Sequence, residues 1–400
     1  MTTFIDQHGA LRVDVQFASI RLDQVFGAEH VARESERNDV VIQQHDPVEV
    51  RGGHGHVPTP RGDGGGRLSQ HARMRTCTLG ILSDIHYASA AEQARGHNYE
   101  LRELRGRWRR ALARFYRHYI WVREPLRKNH LLDQFVACSP DFDYVIANGD
   151  YSCNSAFVGL SDDAACQSAR ECLGKLRDRF GARLRVNYGD HELGKRTMFS
   201  VSGGLRLASW RRAREELGLE PFWRLELGRY VLLGFVSTLV ILPLLGAELL
   251  PAERPEWERL RAEHLAELRR AFDAVQPGQR LLLFCHDPTA LPFLGCEASV
   301  RAKLAQVEQT TIGHLHSNLV LWKSRLLAGM PPIHCLGHTV ERLSTALSEA
   351  RGWRPFHVRL CPALAGIELL KDGGYCTLEL DPDARQPARF RFHRLRRLSS

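Results

Sequence analysis

The sequence predicts an α/β protein in which helices pack in layers around a β-sheet that is not purely parallel. From about residue 76, short apolar runs of strand character alternate with stretches of helical periodicity, and this alternation is typical of a layered α/β fold. The C-terminal part is rich in strand-like runs, which indicates a mixed sheet. Of the 400 residues, 44% are hydrophobic and 25% charged, so a large core is expected.

The first 73 residues differ from the rest of the chain. They contain the tract RGGHGHVPTPRGDGGG and no apolar segment long enough to nucleate a core, so residues 1–73 are predicted to be disordered. Met74 stands immediately before the first convincing strand. One hypothesis is therefore that translation starts at Met74. Residues 74–400 are predicted to form one domain, with a helical insertion at about 90–136 and C-terminal strands at about 331–395.

The predicted elements follow one another in a regular order. A strand at 78–84 precedes a long basic amphipathic stretch at 98–136, which Pro125 divides into two predicted helices. Next come a strand at 143–150, a helix at 164–180, a strand at 182–190, a strand pair at 222–241, a helix at 256–275, a strand at 280–287, a short helix near 298–305 and a strand ending at Gly313. The runs PPIHCLG, FHVRLCP, GIELL, YCTLELD and ARFRFHRL are predicted mostly as strands.

The apolar stretch 230–250 approaches the length of about 20 residues that spans a bilayer. Glycine, serine, threonine and proline interrupt it, and its first half is rich in β-branched residues. We interpret it as a buried strand, or two strands joined by a turn with Pro243 ending the second. A membrane span is the less favoured alternative.

The net charge and the cysteine pattern limit the kinds of partner and the cellular compartment to be expected. The formal net charge of +9 suggests an anionic partner, with phosphates as the first candidates. The ten cysteines are scattered without a C-x-x-C pair, and the N-terminus lacks a basic start followed by an apolar core. Reduced thiols in a cytoplasmic protein are the simplest interpretation.

Five predicted strands end in side chains that bind metals. They are Asp84 and His86 in SDIH, Asp150 in ANGD, Asp190 and His191 in YGDHE, His286 in FCHDP, and His314 and His316 in IGHLH. Taken singly, a strand-end aspartate is often a helix N-cap and a lone histidine is often structural. The carboxyl ends of strands in open α/β sheets meet at one crevice, so five such ends favour a shared site.

The ligand types indicate which metals suit this site. Carboxylates and imidazoles without thiolates fit Mn, Fe, Zn or a mixed pair rather than a structural zinc site. Seven ligands exceed the needs of one four-coordinate ion but match two ions that share one carboxylate. Two ions about 3.5–4 Å apart provide a nucleophile and a clamp for in-line attack on phosphorus.

The motifs D-x-H, G-D, G-D-H-E, H and G-H-x-H, in this order, resemble those of the calcineurin-like metallophosphoesterase family. The likeness covers roughly residues 76–340. It implies a four-layer sandwich of two mixed β-sheets flanked by helices, with a dinuclear metal site at one sheet edge. It also implies a metal-dependent phosphohydrolase that uses a bridging hydroxide to hydrolyse a phosphomonoester or a phosphodiester.

The resemblance also implies roles for individual residues. One ion is expected at Asp84, His86 and His316, a second at Asp190, His286 and His314, and Asp150 is expected to bridge them. His191 resembles the family's histidine that stabilises the transition state or protonates the leaving oxygen. Glu192 is expected to orient the His191 imidazole, with a surface position as the alternative.

Two positions depart from the family pattern. Asp190 stands where the family usually has asparagine, so two divalent ions (+4) and three aspartates (−3) sum to +1 rather than +2. This extra anion is expected to tighten the second ion and to weaken its Lewis acidity. Lys195 and Arg196 offer compensation, although flexible surface positions are the favoured interpretation. Cys153 replaces an acidic residue often found there. Structural roles are predicted for Cys285, His334 and His338.

The leading prediction for function is a metallophosphoesterase acting on a small-molecule phosphoester. A nuclease is the first alternative, because of the positive charge and the arginine-rich helices at 98–127, but no nucleic-acid-binding module is recognisable. A catalytically weakened metal-binding scaffold is the second alternative, in which Asp190 is the substitution that indicates lost catalysis.

Overall fold

A computed structural model describes residues 3–5, 11–13, 75–96, 101, 104, 106–197, 202–335 and 338–395. The chain divides into two compact units, residues 1–67 and 68–400. In the first unit, strands β1 (Thr3–Ile5) and β2 (Leu11–Val13) pair antiparallel. The rest of the predicted disordered segment lies outside the described residues, and the proposed start at Met74 stays a prediction.

The second unit contains ten described strands. They are β3 (Cys77–Leu82), β4 (Tyr144–Ala147), β5 (Leu184–Val186), β6 (Phe222–Leu227), β7 (Tyr230–Phe235), β8 (Arg280–Phe284), β9 (Val307–Ile312), β10 (Val358–Leu360), β11 (Gly374–Leu380) and β12 (Arg389–Arg394). One five-stranded sheet has the order β12-β11-β3-β4-β5, and the other has the order β10-β9-β8-β7-β6. β11 runs antiparallel to both of its neighbours, and β6 runs antiparallel to β7. The remaining pairs are parallel.

Helices cover these sheets. They are α1 (Ala90–Arg95), α2 (Arg107–Tyr119), α3 (Asn129–Cys138), α4 (Asp163–Phe180), α5 (Asp190–Leu193), α6 (Leu207–Glu215), α7 (Ser237–Val240), α8 (Arg254–Asp273), α9 (Ala290–Leu294), α10 (Ala298–Arg301), α11 (Asn318–Leu326) and α12 (His338–Glu349). Short 3-10 helices occur at Pro125–Arg127, Gly159–Ser161, Gly181–Arg183, Leu242–Glu248, Pro251–Glu253, Leu304–Gln306 and Ala350–Phe356. α4 packs beside β5, and α8 packs beside β6.

The two sheets pack face to face through alternate strand positions. Leu79 and Ile81 of β3, Leu232 of β7, Phe284 of β8 and Leu378 of β11 belong to one buried cluster. Because side chains alternate along a strand, the intervening positions face the helices instead and join the larger core. The predicted sandwich of two mixed sheets flanked by helices is therefore confirmed.

The apolar stretch 230–250 folds differently from the prediction. Only β7 is a strand, and α7 and the 3-10 helix Leu242–Glu248 follow it. Pro243 lies in the first turn of this 3-10 helix, where a missing N–H costs no hydrogen bond. None of the helices in the described part of the chain is long and apolar enough to cross a bilayer.

The C-terminal part is less strand-rich than predicted. Residues 331–335 form no strand, and α12 follows them where no helix was predicted. α12 buries Ser344 and Leu347, three positions apart, while Leu343 is exposed, so its apolar pattern is helical. All ten cysteines are free.

Candidate metal centre

The segments that follow the strands of both sheets are tied together by buried hydrogen bonds. Asn148 Nδ2 donates to the carbonyl of Cys285 (3.0 Å), and Asn187 Nδ2 donates to the carbonyl of Phe284 (3.1 Å). The Nδ1 atom of His286 lies 2.8 Å from the carbonyl oxygen of Asn148. These contacts hold the ends of β4 and β5 against the end of β8. The two asparagines were not singled out from the sequence, where they stand as ordinary polar residues between strand and motif.

Asp84, His86 and His316 form the first group of candidate ligands. His316 Nε2 lies 3.2 Å from Asp84 Oδ1, and it lies 3.3 Å from His86 Nε2. One ligand atom from each of these side chains lies within 4.8 Å of the others. Two imidazole nitrogens this close to one carboxylate match the donor set of a divalent cation.

Asp190, His286 and His314 form the second group. His286 Nε2 lies 3.6 Å from Asp190 Oδ1, and His314 Nδ1 lies 3.6 Å from Asp190 Oδ2. Asp287 was missed by the sequence analysis and adds a buried carboxylate, whose Oδ2 is 3.9 Å from His314 Nε2. In the sequence, only its position next to His286 indicated that Asp287 could belong to the metal centre.

Asp150 lies between the two groups. Its Oδ2 is 3.1 Å from His286 Nε2 and 4.0 Å from His86 Nε2. It also belongs to a set of potential ligands with Asp84 and His286, again within 4.8 Å. The structure therefore brings all seven sequence-predicted ligands to one edge, with Asp150 at the junction.

The donor atoms fit a cation because several of them have no other partner. Among the described residues, Asp150 Oδ2, Asp190 Oδ1 and His286 Nε2 are buried and accept or donate no hydrogen bond. Buried polar atoms without a partner are costly, and bound cations would satisfy them. These residues thus fit a pair of metal ions.

Electrostatics at this edge also favour positive charge. Burial disfavours the carboxylate of Asp84, but the imidazoles of His286 and His316 outweigh it and hold its pKa below the usual range. Burial likewise opposes ionisation of Asp150, yet His191 and His286 lower its pKa to about 2. Burial disfavours protonated His286, but Asp150 and Asp84 raise its pKa well above the ordinary value.

Backbone strain is concentrated in the candidate ligands. Five of them have a positive φ, between 49° and 63°: Asp84, His86, Asp150, His314 and His316. This conformation is uncommon for residues other than glycine and costs about 1–2 kcal/mol each. The neighbouring glycines allow the close approach, since a Cβ on Gly189 would lie 2.0 Å from Asp150 Oδ1. Strain of this kind persists where surrounding contacts hold it, as at functional sites.

Glu192 does not orient the His191 imidazole, and it is not a surface residue. Its buried carboxylate accepts hydrogen bonds from the backbone N–H groups of Gly189 (2.7 Å), Asp150 (3.0 Å) and Tyr151 (2.8 Å). Burial and the nearby Asp150 raise its pKa to about 7. Both expectations for Glu192 were wrong because a sequence gives no sign of which backbone groups a turn leaves unpaired.

His191 is held by a backbone carbonyl instead. Its Nδ1 lies 3.1 Å from the carbonyl oxygen of Ser152, and its backbone N–H donates to Asp150 Oδ1 at 3.0 Å. The other ring nitrogen, Nε2, lies 3.7 Å from Asp150 Oδ2. Burial lowers the pKa of His191 to about 4, against the opposing effect of Asp150. The Ser152 contact fixes the tautomer that carries its proton on Nδ1.

Lys195 is paired with Asp190, which corrects the favoured surface interpretation. Its Nζ lies 3.1 Å from Asp190 Oδ2, and its side chain is only 23% exposed. Burial disfavours the ammonium, but Asp190 and Asp150 hold its pKa above the ordinary value. The backbone N–H of Arg196 donates to Glu248 Oε2 at 2.9 Å.

The remaining residues singled out from the sequence lie around the centre or away from it. Cys153 donates from its thiol to the His86 carbonyl (3.0 Å) and packs in a small apolar cluster. Cys285 is fully buried in the core, and His334 lies on the surface 2.8 Å from Glu341 Oε1. The side chain of His338 lies outside the described residues. Trp121, which the sequence analysis missed, stacks on His316 with ring centroids 4.7 Å apart.

Comparisons with known proteins give structural likeness only. No protein-family model and no curated protein matches the chain. The purple acid phosphatase PPD1 from yellow lupin (Lupinus luteus) seeds is 13% identical with a TM-score of 0.30, over 60% of this chain and 38% of that one. A dimetal phosphatase from Danio rerio is 14% identical with a TM-score of 0.37, over 76% and 92%. Phosphopantetheinyl hydrolase from Mycobacterium tuberculosis is 15% identical with a TM-score of 0.32, over 60% and 83%.

The chain thus spans less than half the length of the lupin phosphatase. The chemistry of this chain is inferred from its own side chains.

Proposed function

We propose that this chain is a metal-dependent phosphohydrolase of the calcineurin-like metallophosphoesterase type, acting on a small-molecule phosphomonoester or phosphodiester. The observation that carries the proposal is the set of overlapping histidine and aspartate groups, each with ligand atoms within 4.8 Å, at one edge of the sandwich. Overlap through Asp150 and His286 supports two adjacent ions rather than two independent sites.

Each candidate ligand has a role in this proposal. Asp84, His86 and His316 hold one divalent ion, Asp190, His286 and His314 hold the other, and Asp150 serves both. When bound, a pair of Mn, Fe or Zn ions supplies Lewis acidity and lowers the pKa of water toward about 7.

His191 is the residue proposed to handle a proton. Its Nδ1–H is committed to the Ser152 carbonyl, so Nε2 is the atom left to face a substrate oxygen. Because burial lowers the pKa of His191 to about 4, Nε2 carries no proton near neutral pH, so it can accept one from the attacking water and then pass it to the leaving oxygen. Glu192 supports this geometry by fixing the backbone of Asp150 and Gly189.

Lys195 restores the charge balance that Asp190 disturbs. Two divalent ions (+4), the three ligand aspartates (−3) and one ammonium (+1) sum to +2, the same value as with asparagine at position 190 and no ammonium. The buried carboxylate of Asp287 adds −1 in either case. A net positive centre attracts an anionic phosphoester.

The test combines metal content with turnover. Purified protein is expected to bind two metal ions per chain and to hydrolyse p-nitrophenyl phosphate or its bis ester. Asp150→Ala is expected to lose at least one ion and to lower turnover by roughly a thousandfold or more, because both groups share that carboxylate. Asp141→Asn, an exposed aspartate paired with Arg183, serves as the control.

Three results would contradict the proposal. Bound metals without turnover of either ester favour the scaffold, and an Asp150→Ala variant that retains both ions refutes the shared-ligand arrangement. Turnover confined to oligonucleotides and falling steeply with salt would favour the nuclease alternative. The cytoplasmic location remains a prediction from the cysteine pattern.

A further inference from the structure

Helix α2 presents an apolar face to solvent. Trp108, Leu112, Phe115 and Tyr119 are 67%, 58%, 55% and 58% exposed. Their spacing of four, three and four residues places them along one side of the helix. On the other side, Ala113 is buried in a small cluster with Leu101 and Leu104, which anchors the helix to the protein.

The same helix is strongly basic. Its sequence RWRRALARFYRHY contains arginine at positions 107, 109, 110, 114 and 117 and has no acidic residue. Arg107 and Arg114 are exposed and lie on one side of the helix, about 110° and 130° around the axis from the centre of the apolar stripe. A helix with Trp, Phe and Leu on one face and arginines beside it has the composition of helices that lie in the interface of an anionic membrane.

The helix leads directly to the candidate metal centre. Two residues after α2 ends, the ring of Trp121 stacks on His316. The carbonyls of Ile120 and Trp121 accept hydrogen bonds from the backbone N–H groups of Leu369 (3.3 Å) and Glu368 (2.6 Å). Docking of α2 on another surface would therefore hold the metal centre close to that surface.

Other exposed apolar side chains lie on two further segments. Leu369 and Leu370 are exposed beside the end of α2, and Trp322, Leu326 and Leu327 are exposed on and just after α11, which begins two residues after His316. Among the described residues, only Leu250 and Leu343 are large exposed apolar side chains that lie on other elements. Most of the large exposed apolar side chains therefore belong to α2 and to two segments that follow His316 or bond to the end of α2.

We propose that the exposed face of α2 docks on the surface of an anionic lipid bilayer. Leu112 and Phe115 enter the boundary between headgroups and acyl chains, and Arg107 and Arg114 pair with anionic headgroups. The contact is peripheral, since 13 residues form a helix only about 20 Å long and no described helix can span a membrane. A phosphoester carried by a lipid is then the substrate class within reach, a consequence that rests on the proposed function.

Two other occupants of this face, nucleic acid and a second copy of the chain, fit it less well than lipid. Nucleic acid also binds arginines interleaved with aromatic rings, but an aliphatic residue such as Leu112 at the middle of the stripe offers no stacking surface for a base. A second copy of the chain would have to place its own arginine-rich helix against this one, and like charges oppose that arrangement.

The test measures flotation of the full chain with lipid vesicles. Vesicles of phosphatidylcholine alone are compared with vesicles that contain about one third phosphatidylglycerol. The protein is expected to float with the anionic vesicles only. Leu112→Gln/Phe115→Gln is expected to lower the partition coefficient about tenfold or more, because both apolar side chains leave the membrane interface.

Charge is tested separately. Arg114→Glu is expected to lower the partition coefficient about fivefold or more. Arg385→Glu is the matched control and should leave flotation unchanged. Arg385 is exposed in the β11–β12 connection, which lies beside the start of β3, whereas Asp84 and His86 follow the end of β3. Circular dichroism and p-nitrophenyl phosphate turnover, both expected to be unaltered, show that the variants are folded. Failure of the proposed function leaves the flotation result intact, so the two proposals fail independently.

Four outcomes overturn the proposal. Wild-type protein that does not float with anionic vesicles refutes it, as does a Leu112→Gln/Phe115→Gln variant that floats like wild type. A stable dimer that this double variant dissociates would assign the face to a second copy of the chain. Oligonucleotide binding that depends on Arg114, without flotation, would assign it to nucleic acid.

Discussion

Two buried histidines, His264 in the core and His286 at the candidate metal centre, show how differently one side chain behaves in two regions of the same molecule. His264 lies on α8, and its Nε2 accepts the backbone N–H of Val236 at 3.2 Å. Burial alone lowers its pKa to about 4. Burial acts on His286 in the same direction, yet Asp150 and Asp84 raise its pKa well above the ordinary value.

This contrast shows that burial of a histidine does not by itself indicate a functional site. In the core, the imidazole is a neutral hydrogen-bond acceptor, and the fold loses stability if it is charged. At the strand ends, three aspartates create a demand for positive charge that a lone histidine cannot satisfy. A buried imidazole therefore indicates a metal site only where carboxylates converge on it.

Among the changes that test this contrast, removing the support beneath the metal centre is expected to have the strongest effect. Glu192→Ala deletes the acceptor of three backbone N–H groups and should lower metal affinity and turnover by roughly a hundredfold. It should also reduce the free energy of unfolding by about 3 kcal/mol, since buried donors lose their partner. Metal titration and urea unfolding measure the two effects.

Glu171→Gln is the control for that experiment, because Glu171 accepts its hydrogen bond from Gln167 at the exposed face of α4. Normal metal affinity in Glu192→Ala would show that the loop holds its shape without this carboxylate.

Measuring the free energy of unfolding against pH tests the same contrast at His264. The pKa of His264 is depressed in the folded state, so the unfolded chain takes up a proton at about pH 6.5 while the folded chain does not. Stability is thus fully present above pH 6.5 and is lost as the pH falls toward 4, by about 3 kcal/mol from this group. Urea unfolding of metal-free protein at several pH values measures the loss.

His264→Gln keeps a side-chain acceptor for Val236 but cannot titrate, so it should show about 3 kcal/mol less acid destabilisation than wild type. Identical pH profiles for the two proteins would mean that His264 is solvated or protonated in the folded state.

The smallest effect concerns the charge pair that distinguishes this centre. Lys195→Met leaves Asp190 without its cation, so the second ion should bind more tightly while KM for p-nitrophenyl phosphate rises about fivefold. Asp190→Asn/Lys195→Met removes both charges and should restore KM. Metal titration beside steady-state kinetics separates the two effects. An unchanged KM in Lys195→Met would show that the ammonium does not influence substrate binding.

Local sequence patterns predicted most of the fold and the members of the site. Strands 78–84, 143–150 and 280–287 lie close to β3, β4 and β8, because buried parallel strands are short continuous apolar runs. The strand-end motifs identified the side chains that form overlapping groups of three, each with its ligand atoms within 4.8 Å of one another. The stretch after β7 was mispredicted because an apolar run of strand length does not distinguish a strand from a buried helical turn.

The sequence by itself determined which residue types stand at each strand end, and therefore a carboxylate and imidazole site suited to paired cations. The tertiary structure alone decided what surrounds them: the carbonyl of Ser152 on His191, the backbone donors on Glu192, the ammonium of Lys195 on Asp190 and the ring of Trp121 on His316. The physical reason is the distance along the chain over which each feature acts. Strand patterns and motifs are local properties of the chain, whereas hydrogen bonds and charge pairs between distant segments exist only after the two sheets have packed.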